Sequence, residues 1–361
     1  MFIYWFIFFC LALGALNERS RVSQETAMGS VSAIWLLSLG ALVLTMGFRH
    51  EVGGDWGPYL AQVRAMESVS WVDLLIASDP GYALLNWLGF HLGGGIYFTN
   101  LVSATFFLIG VAIFARSQTR PWLVMLVAMP YLILVVGMGY TRQAVALGFG
   151  MVALTALLRE RVGSFIVFVA LAVLFHKTAI VLLGFLIFTR EAKRWTNLVL
   201  FVFSSGALFA WFLQDHIAYF ISNYLRAGYE SSGATIRILM NALPALILLS
   251  CRGRFHLTRS ESRFWTGMAW LAVGFVVLLI VSPSSTAVDR IALYLIPIQL
   301  FVWSRLPDAL GGMGKLNVIW TTAVVSYSAL ILFVWLTFAH HAPSWVPYQF
   351  YPWEWFWSLW N

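Results

Sequence analysis

The sequence predicts an all-α polytopic membrane protein of about 11 to 13 membrane segments. Three observations predict it. Apolar residues make up 61% of the 361 and charged residues only 10%. Apolar windows near the length a helical span needs, about 20 residues, fill the chain from end to end and leave no room for a separate soluble domain. Arginine and lysine fall in short loops between those windows, where positive charge fixes orientation. Residues 1–361 are therefore read as one integral membrane domain, with an outer-face loop at about 49–97 within it. The net charge of +7 belongs to the loops, and nucleic acid is not an expected partner.

The opening "MFIYWFIFFCLALGAL" lacks a basic leader and is followed by "NERSR", which predicts a retained first span with its N-terminus outside. Further spans are expected near 31–48, 98–115, 122–138, 143–158, 196–213, 236–251, 264–281, 288–304 and 316–338. The basic loops at 17–21, 116–120, 159–161, 190–194, 251–263 and 304–315 mark one face, the cytoplasmic one. The stretch from Arg161 to Arg190 is too long for one tidy span and is flanked by basic loops on both sides. It is read as a short hairpin near 162–189 that turns at His176 and Lys177. Cys10 and Cys251 show no CxxC or Cys/His spacing, so neither a disulfide framework nor a zinc site is indicated.

The opposite face collects the unusual polar residues. Between a Gly-Gly-Asp and an Asp-Pro-Gly cluster, the 49–97 segment carries two short amphipathic patterns near the interface, with Asp55 and Asp79 placed to cap their helices. Arg142, Lys177 and Arg290 each lie beside an apolar span, with Asp289 as the only close candidate partner. Ionisable groups at membrane depth are costly, so they pair, face a polar cavity or hold a ligand. A cationic cavity suits an anion, and a guanidinium fork beside an ammonium suits a lipid-borne diphosphate. Plainer roles compete: Arg142 as a snorkelling interfacial residue, His176 and Lys177 as a polar turn, Asp55 as an N-cap, Arg290 as the partner of Asp289. Arg49, His50 and Arg237 are read as membrane-surface residues, and most of the 18 tryptophans as an interfacial belt.

The ordered stretches "VGGDWGPY", "DPGYALLNWL", "YTRQAVALG", "FHKTA" and "DRIALYL" resemble the EpsG-type family of exopolysaccharide and O-antigen (Wzy-like) polymerases, over roughly residues 30 to 350. Where this chain has Asp79 the family often has glutamate, and Thr178 is often serine. Both changes keep the polar type. The resemblance implies polymerisation of oligosaccharide repeat units carried on undecaprenyl diphosphate, at the outer face of a bacterial inner membrane. A GT-C-like arrangement is compatible with the outer loop and span count. The bilayer, the lipid-linked oligosaccharide, a chain-length regulator and other polysaccharide-export membrane proteins are the implied partners.

Such a reaction must stabilise a departing diphosphate and orient or deprotonate an acceptor hydroxyl. Arg142, Lys177 and Arg290 are candidates for the diphosphate, each well-placed donor contributing roughly 2.7 to 4 kcal/mol if it acts as an oxyanion-hole group does. Asp55 and His176 are candidates for the base, with Asp55 preferred. Tyr59 and Tyr294, each four residues from a charged group, can share its helix face and orient it or contact sugar, and Gln143 can bond sugar hydroxyls or buttress Arg142. No cofactor is expected, and no metal, because the outer carboxylates form no tight cluster in sequence. A lipid-linked oligosaccharide flippase would share the cationic cavity but call for internal repeats and interrupted helices, and no repeat is apparent. An O-antigen ligase would share the donor. An acyltransferase built on His176 would want a neighbouring carboxylate. A structural scaffold would leave one-sided cations without a reason.

Overall fold

The computed structural model describes residues 1–20, 31–188, 233–282 and 284–358, together with Val199, Val202 and Phe203. The expected span at 196–213, the basic loop at 190–194 and most of the 224–237 outer loop lie outside the described residues. Chain order begins with α1 (Phe2–Leu16) and α2 (Ala33–Gly47), then the short strand β1 (Arg49–His50). The helices α3 (Trp56–Arg64), α4 (Trp71–Leu75) and α5 (Pro80–His91) follow. Next come α6 (Gly95–Arg116), α7 (Pro121–Gly139), α8 (Thr141–Leu158), α9 (Val162–Phe175) and the tightly wound α10 (Lys177–Phe188). The last part contains α11 (Ala234–Phe255), α12 (Arg259–Val281), α13 (Ser285–Leu295), α14 (Pro297–Gly311) and α15 (Val318–Phe338). It ends with strand β2 (Gln349–Phe350) and α16 (Tyr351–Ser358).

This is an all-α polytopic membrane protein. Among the described residues six helices are long and apolar enough to cross a bilayer, or seven if α13 and α14, bent by 45° at Ile296, form one broken span. Four shorter apolar helices, α1, α2, α9 and α10, accompany them. The apolar window of α7 is 94% buried and that of α15 only 22%, so α7 is the central post and α15 turns most of its surface to lipid. The central helices lie close because glycines face each other. A Cβ on Gly148 of α8 would stand 2.7 Å from Cα of Phe107 in α6, and one on Gly110 would run into the backbone of Gly148. Small residues at such crossings let dispersion contacts replace a hydrophobic drive that lipid cannot supply.

One end of the bundle is tied by the basic loops. Arg120, fully buried, donates Nε and Nη2 to Oδ1 of Asp308 at 3.1 and 2.8 Å. Its Nη1 reaches the carbonyls of Glu18 and Leu316, and Nη2 that of Lys315. Arg305 pairs with Glu261 at 3.0 Å, and Arg159, Gln118, Glu261 and Arg305 line one cavity. The described parts of the basic loops, 17–20, 116–120, 159–161, 251–263 and 304–315, therefore meet at the same end, as their shared charge required.

The other end is built by the 49–97 segment and the chain's tail. β1 and β2 pair antiparallel, Arg49 with Phe350 and His50 with Gln349. α5 runs antiparallel to α6: Gly89 abuts Gly95, and Thr99 donates to the carbonyl of Leu85 at 3.2 Å. The start of α5 therefore descends to the level of Phe106, about 16 Å down α6 at 1.5 Å per residue. Phe175 at the end of α9 packs against Phe106 and Phe149, so the His176 turn sits at that same depth. The expected hairpin is present: α9 rises to His176, whose backbone is extended, and α10 runs back until Phe188 meets Gly267 near the basic-loop end.

Candidate active site

Three helix starts meet at the foot of α5 and bound the candidate recess. Pro80 opens α5, Thr141 opens α8 and Lys177 opens α10. Each helix start carries about half a positive charge from aligned peptide dipoles and unsatisfied N–H groups, so their convergence favours an anion. Side chains add to this. Arg142 stands in the first turn of α8 and Lys177 at the first residue of α10, where a cation opposes the dipole unless something negative faces it. In this structure that negative group is Asp79. Its Oδ2 accepts from Nη1 of Arg142 at 2.6 Å, and its Oδ1 accepts from the backbone N–H of Lys177 at 3.4 Å. Nζ of Lys177 reaches Oγ of Ser78 at 3.2 Å.

The second wall comes from α13. Arg290 holds its guanidinium carbon over the ring of Tyr140, 3.9 Å from its centroid, and donates Nη1 to Oε1 of Gln143 at 3.3 Å. Gln143, buried, returns its Nε2 to the carbonyl of Arg290 at 2.8 Å. Its amide thus buttresses Arg290 instead of Arg142. Among the described residues Arg290 has no carboxylate partner within salt-bridge distance. The sequence offered Asp289 for that role, but Asp289 is held by Arg237 through two parallel hydrogen bonds of 2.8 Å. Neighbours along a helix point apart, so Asp289 faces α11 while Arg290 faces the recess. Arg237 is thus a half-buried pairing residue, not a surface one. Tyr294, one turn further, exchanges a hydrogen bond of 3.0 Å with Oγ1 of Thr178. His176 lies within the fields of Arg142, Arg290 and Lys177, and its Nδ1 is buried with no hydrogen-bond partner.

Asp55 closes the recess from above. Gly53 is held at φ +109 with its N–H on the carbonyl of Ser344 at 2.8 Å. A Cβ there would lie 2.6 Å from the carbonyl oxygen of Met138. Only glycine lets the loop press onto the α7–α8 break, and this aims the next residues at the site. Asp55 precedes α3 but its side chain does not cap it, and Asp79 does not cap α5 either. Capping therefore does not account for these carboxylates. Burial raises the Asp55 carboxyl above its ordinary range, against the opposing fields of Arg290, Arg142 and His341. Tyr59, one turn on, is buried with its ring 5.6 Å from that of Tyr82 and in contact with Arg142.

The site thus brings together Asp55, Tyr59, Arg142, Gln143, His176, Lys177, Arg290 and Tyr294, all of them singled out from sequence. It adds Asp79 as the partner of Arg142, Tyr140 as the plate under Arg290, and the Tyr82 hydroxyl, buried and unpartnered. A carboxylate in "SDPGY", beside apolar sequence in a chain with only 15 acidic residues, was the available signal for Asp79. The expectation of unpaired cations is corrected for Arg142.

The sequence model of the EpsG family matches residues 32–350. The chain belongs to the EpsG family. EpsG proteins are Wzy-like polysaccharide polymerases, and the activity is of glycosyltransferase type. The match begins at the start of α2 and ends in β2, so it takes in every element of this EpsG site. No curated protein and no solved structure matches the chain.

Proposed function

We propose that this EpsG-family chain joins oligosaccharide repeat units carried on a polyprenyl diphosphate, undecaprenyl diphosphate in a bacterial inner membrane, with the recess open to the periplasm or outside. The observation that carries the proposal is the convergence of Arg142, Lys177, Arg290 and three helix starts on one recess beside a half-buried carboxylate, at the end of the bundle away from the basic loops. The whole chain acts as one membrane domain, and the donor lipid runs along its apolar flank.

In the proposed reaction, a hydroxyl oxygen of the acceptor repeat attacks the anomeric carbon of the donor sugar. The bond from that carbon to the diphosphate oxygen breaks, and the diphosphate leaves with the electron pair. Arg290 binds the leaving group from its Tyr140 plate, and Lys177 and Arg142 meet the remaining oxygens. Asp55 accepts the hydroxyl proton. A carboxyl raised by burial is a stronger base than one in water once it is ionised. Tyr59 and Tyr294 orient the charged groups or meet sugar hydroxyls, and His176 serves as the alternative base. Donors already held in place need no reorganisation as charge develops, which is where such sites gain most of their rate.

Incubating the purified chain in lipid with a synthetic undecaprenyl-diphosphate oligosaccharide should give a product ladder spaced by one repeat unit, with and without a chelator. A single transfer to a lipid A acceptor, with no ladder, would point to a ligase. The breaks at His176 and at Ile296 favour one further reading, a lipid-linked oligosaccharide flippase, because interrupted helices mark many transport sites. Protected lipid-linked substrate crossing vesicle leaflets, without any ladder, would decide for that.

A further inference from the structure

Arg49 stands outside the recess yet is built more completely than any group in it. The residue is 2% exposed. Its Nε donates to the carbonyl of Val52 at 3.2 Å, Nη1 to that of Met46, and Nη2 to both Oδ1 of Asn100 and Oγ1 of Thr141 at 2.9 Å. Among the described residues no carboxylate pairs with it. A buried, uncompensated charge is expensive, and a neutral side chain would fill the space at less cost. The five-donor planar fork is what the position uses: four acceptors from separate elements are gathered by one rigid group.

Those acceptors are informative. Val52 ends the turn that leads through Gly53 to Asp55. Thr141 immediately precedes Arg142. Asn100 belongs to α6, the helix against which α5 and Asp79 are registered. Tyr59 and Tyr82 lie between Arg49 and the recess, each within the field of Arg49 or Arg142. We propose that Arg49 is a positioning residue, a guanidinium staple that sets the distance between the Asp55 loop and the Arg142 helix start. This rests on the proposed assignment of Asp55 to the acceptor hydroxyl and Arg142 to the diphosphate. A near-attack geometry is lost over about 1 Å, so a staple away from the reacting atoms governs turnover more than binding.

The test uses the full chain in nanodiscs as wild type, R49K and T141V, the last a nearly isosteric removal of one acceptor that keeps the protein folded if R49K does not. Hydrogen exchange is followed by mass spectrometry, and the polymerisation rate is measured against donor concentration. Exchange should rise in residues 50–57 and 139–143 and stay level in α11 to α15. The turnover number should fall at least tenfold in R49K and severalfold in T141V, with KM within twofold. Exchange that rises evenly across the chain, or a rate loss equal to the loss of folded protein, would overturn the proposal. If wild type makes no ladder, the polymerase reading fails. The exchange pattern then still decides: a rise confined to the two segments keeps the staple, and unchanged exchange removes it.

Discussion

Nη1 of Arg142 and Oδ2 of Asp79 lie 2.6 Å apart although 63 positions separate the residues, and the other Asp79 oxygen takes the N–H of Lys177. One carboxylate therefore holds both arms of the cationic recess at the foot of α5. In the proposed reaction an entering diphosphate competes with Asp79 for the same donors. Asp79 should thus set the position of Arg142 without being needed for charge. D79N is expected to lower polymer formation about tenfold, and D79N combined with R142A should lose little more than R142A alone, a coupling of about 1.4 kcal/mol, the whole of the D79N loss. Rates for the four proteins of that double-mutant cycle check this. Strictly additive losses would show that the pair does not act as a unit.

Lys177 contributes a compact charge at the start of α10. K177R should keep most activity and K177Q should lose about a hundredfold to a thousandfold, equivalent to roughly 2.7–4 kcal/mol for a lost donor to developing charge. Single-turnover measurements with saturating donor separate this loss from weaker binding. Equal rates for K177Q and wild type would leave Lys177 as a polar turn residue.

The Asp55 carboxyl is raised by burial, and the sign has two consequences. As a base it must be ionised, so turnover should climb with pH along a limb lying above the ordinary carboxylate range of about 4. D55N should abolish that limb and most of the rate. For stability the raised folded value favours the protonated form. That contribution is fully present below the unfolded pKa and is lost as pH rises through the folded one. D55N should therefore melt no lower than wild type at neutral pH. A D55N enzyme with wild-type turnover would pass the base role to His176, whose H176A variant should then be the inactive one.

Much of this fold could be read directly from the sequence because its rules are one-dimensional. Span length and the grouping of arginines in loops need no knowledge of distant residues, and the hairpin followed from counting residues between Arg161 and Arg190. The candidate residues that the structure brings together were visible for a similar reason: a lysine in "LFHKTA" or an arginine in "GYTRQAV" is conspicuous against apolar sequence. Partnership was not visible. Arg142 meets Asp79 and Arg237 meets Asp289 across separate helices, 63 and 52 positions apart, whereas the sequence suggested Asp289 for Arg290 by adjacency. Arg49 looked like a surface residue because it follows a span directly. Its burial depends on the Asn100 face of α6, on Thr141 and on the tail strand, none of which is local.

Gly53 gives the sharpest separation between loop geometry and chemistry. Its φ of +109 is one that side chains rarely adopt, and an added Cβ would stand 2.6 Å from the carbonyl oxygen of Met138. Holding alanine there costs about 1–3 kcal/mol of strain, or else moves the loop. Gly57, four residues on, has nothing within 4 Å of its Cβ position and an ordinary helical backbone. G57A should therefore be neutral in both melting and turnover. G53A should relieve its clash by lifting the loop off the α7–α8 break, which carries Asp55 away from Arg142 and Arg290. The expected result is a turnover loss of tenfold or more, with the Asp55 limb of the pH profile moved down toward the ordinary carboxylate range as the carboxyl regains water. A G53A protein that melts lower yet keeps both its rate and its pH limb would show that the loop need not press on this break for Asp55 to work.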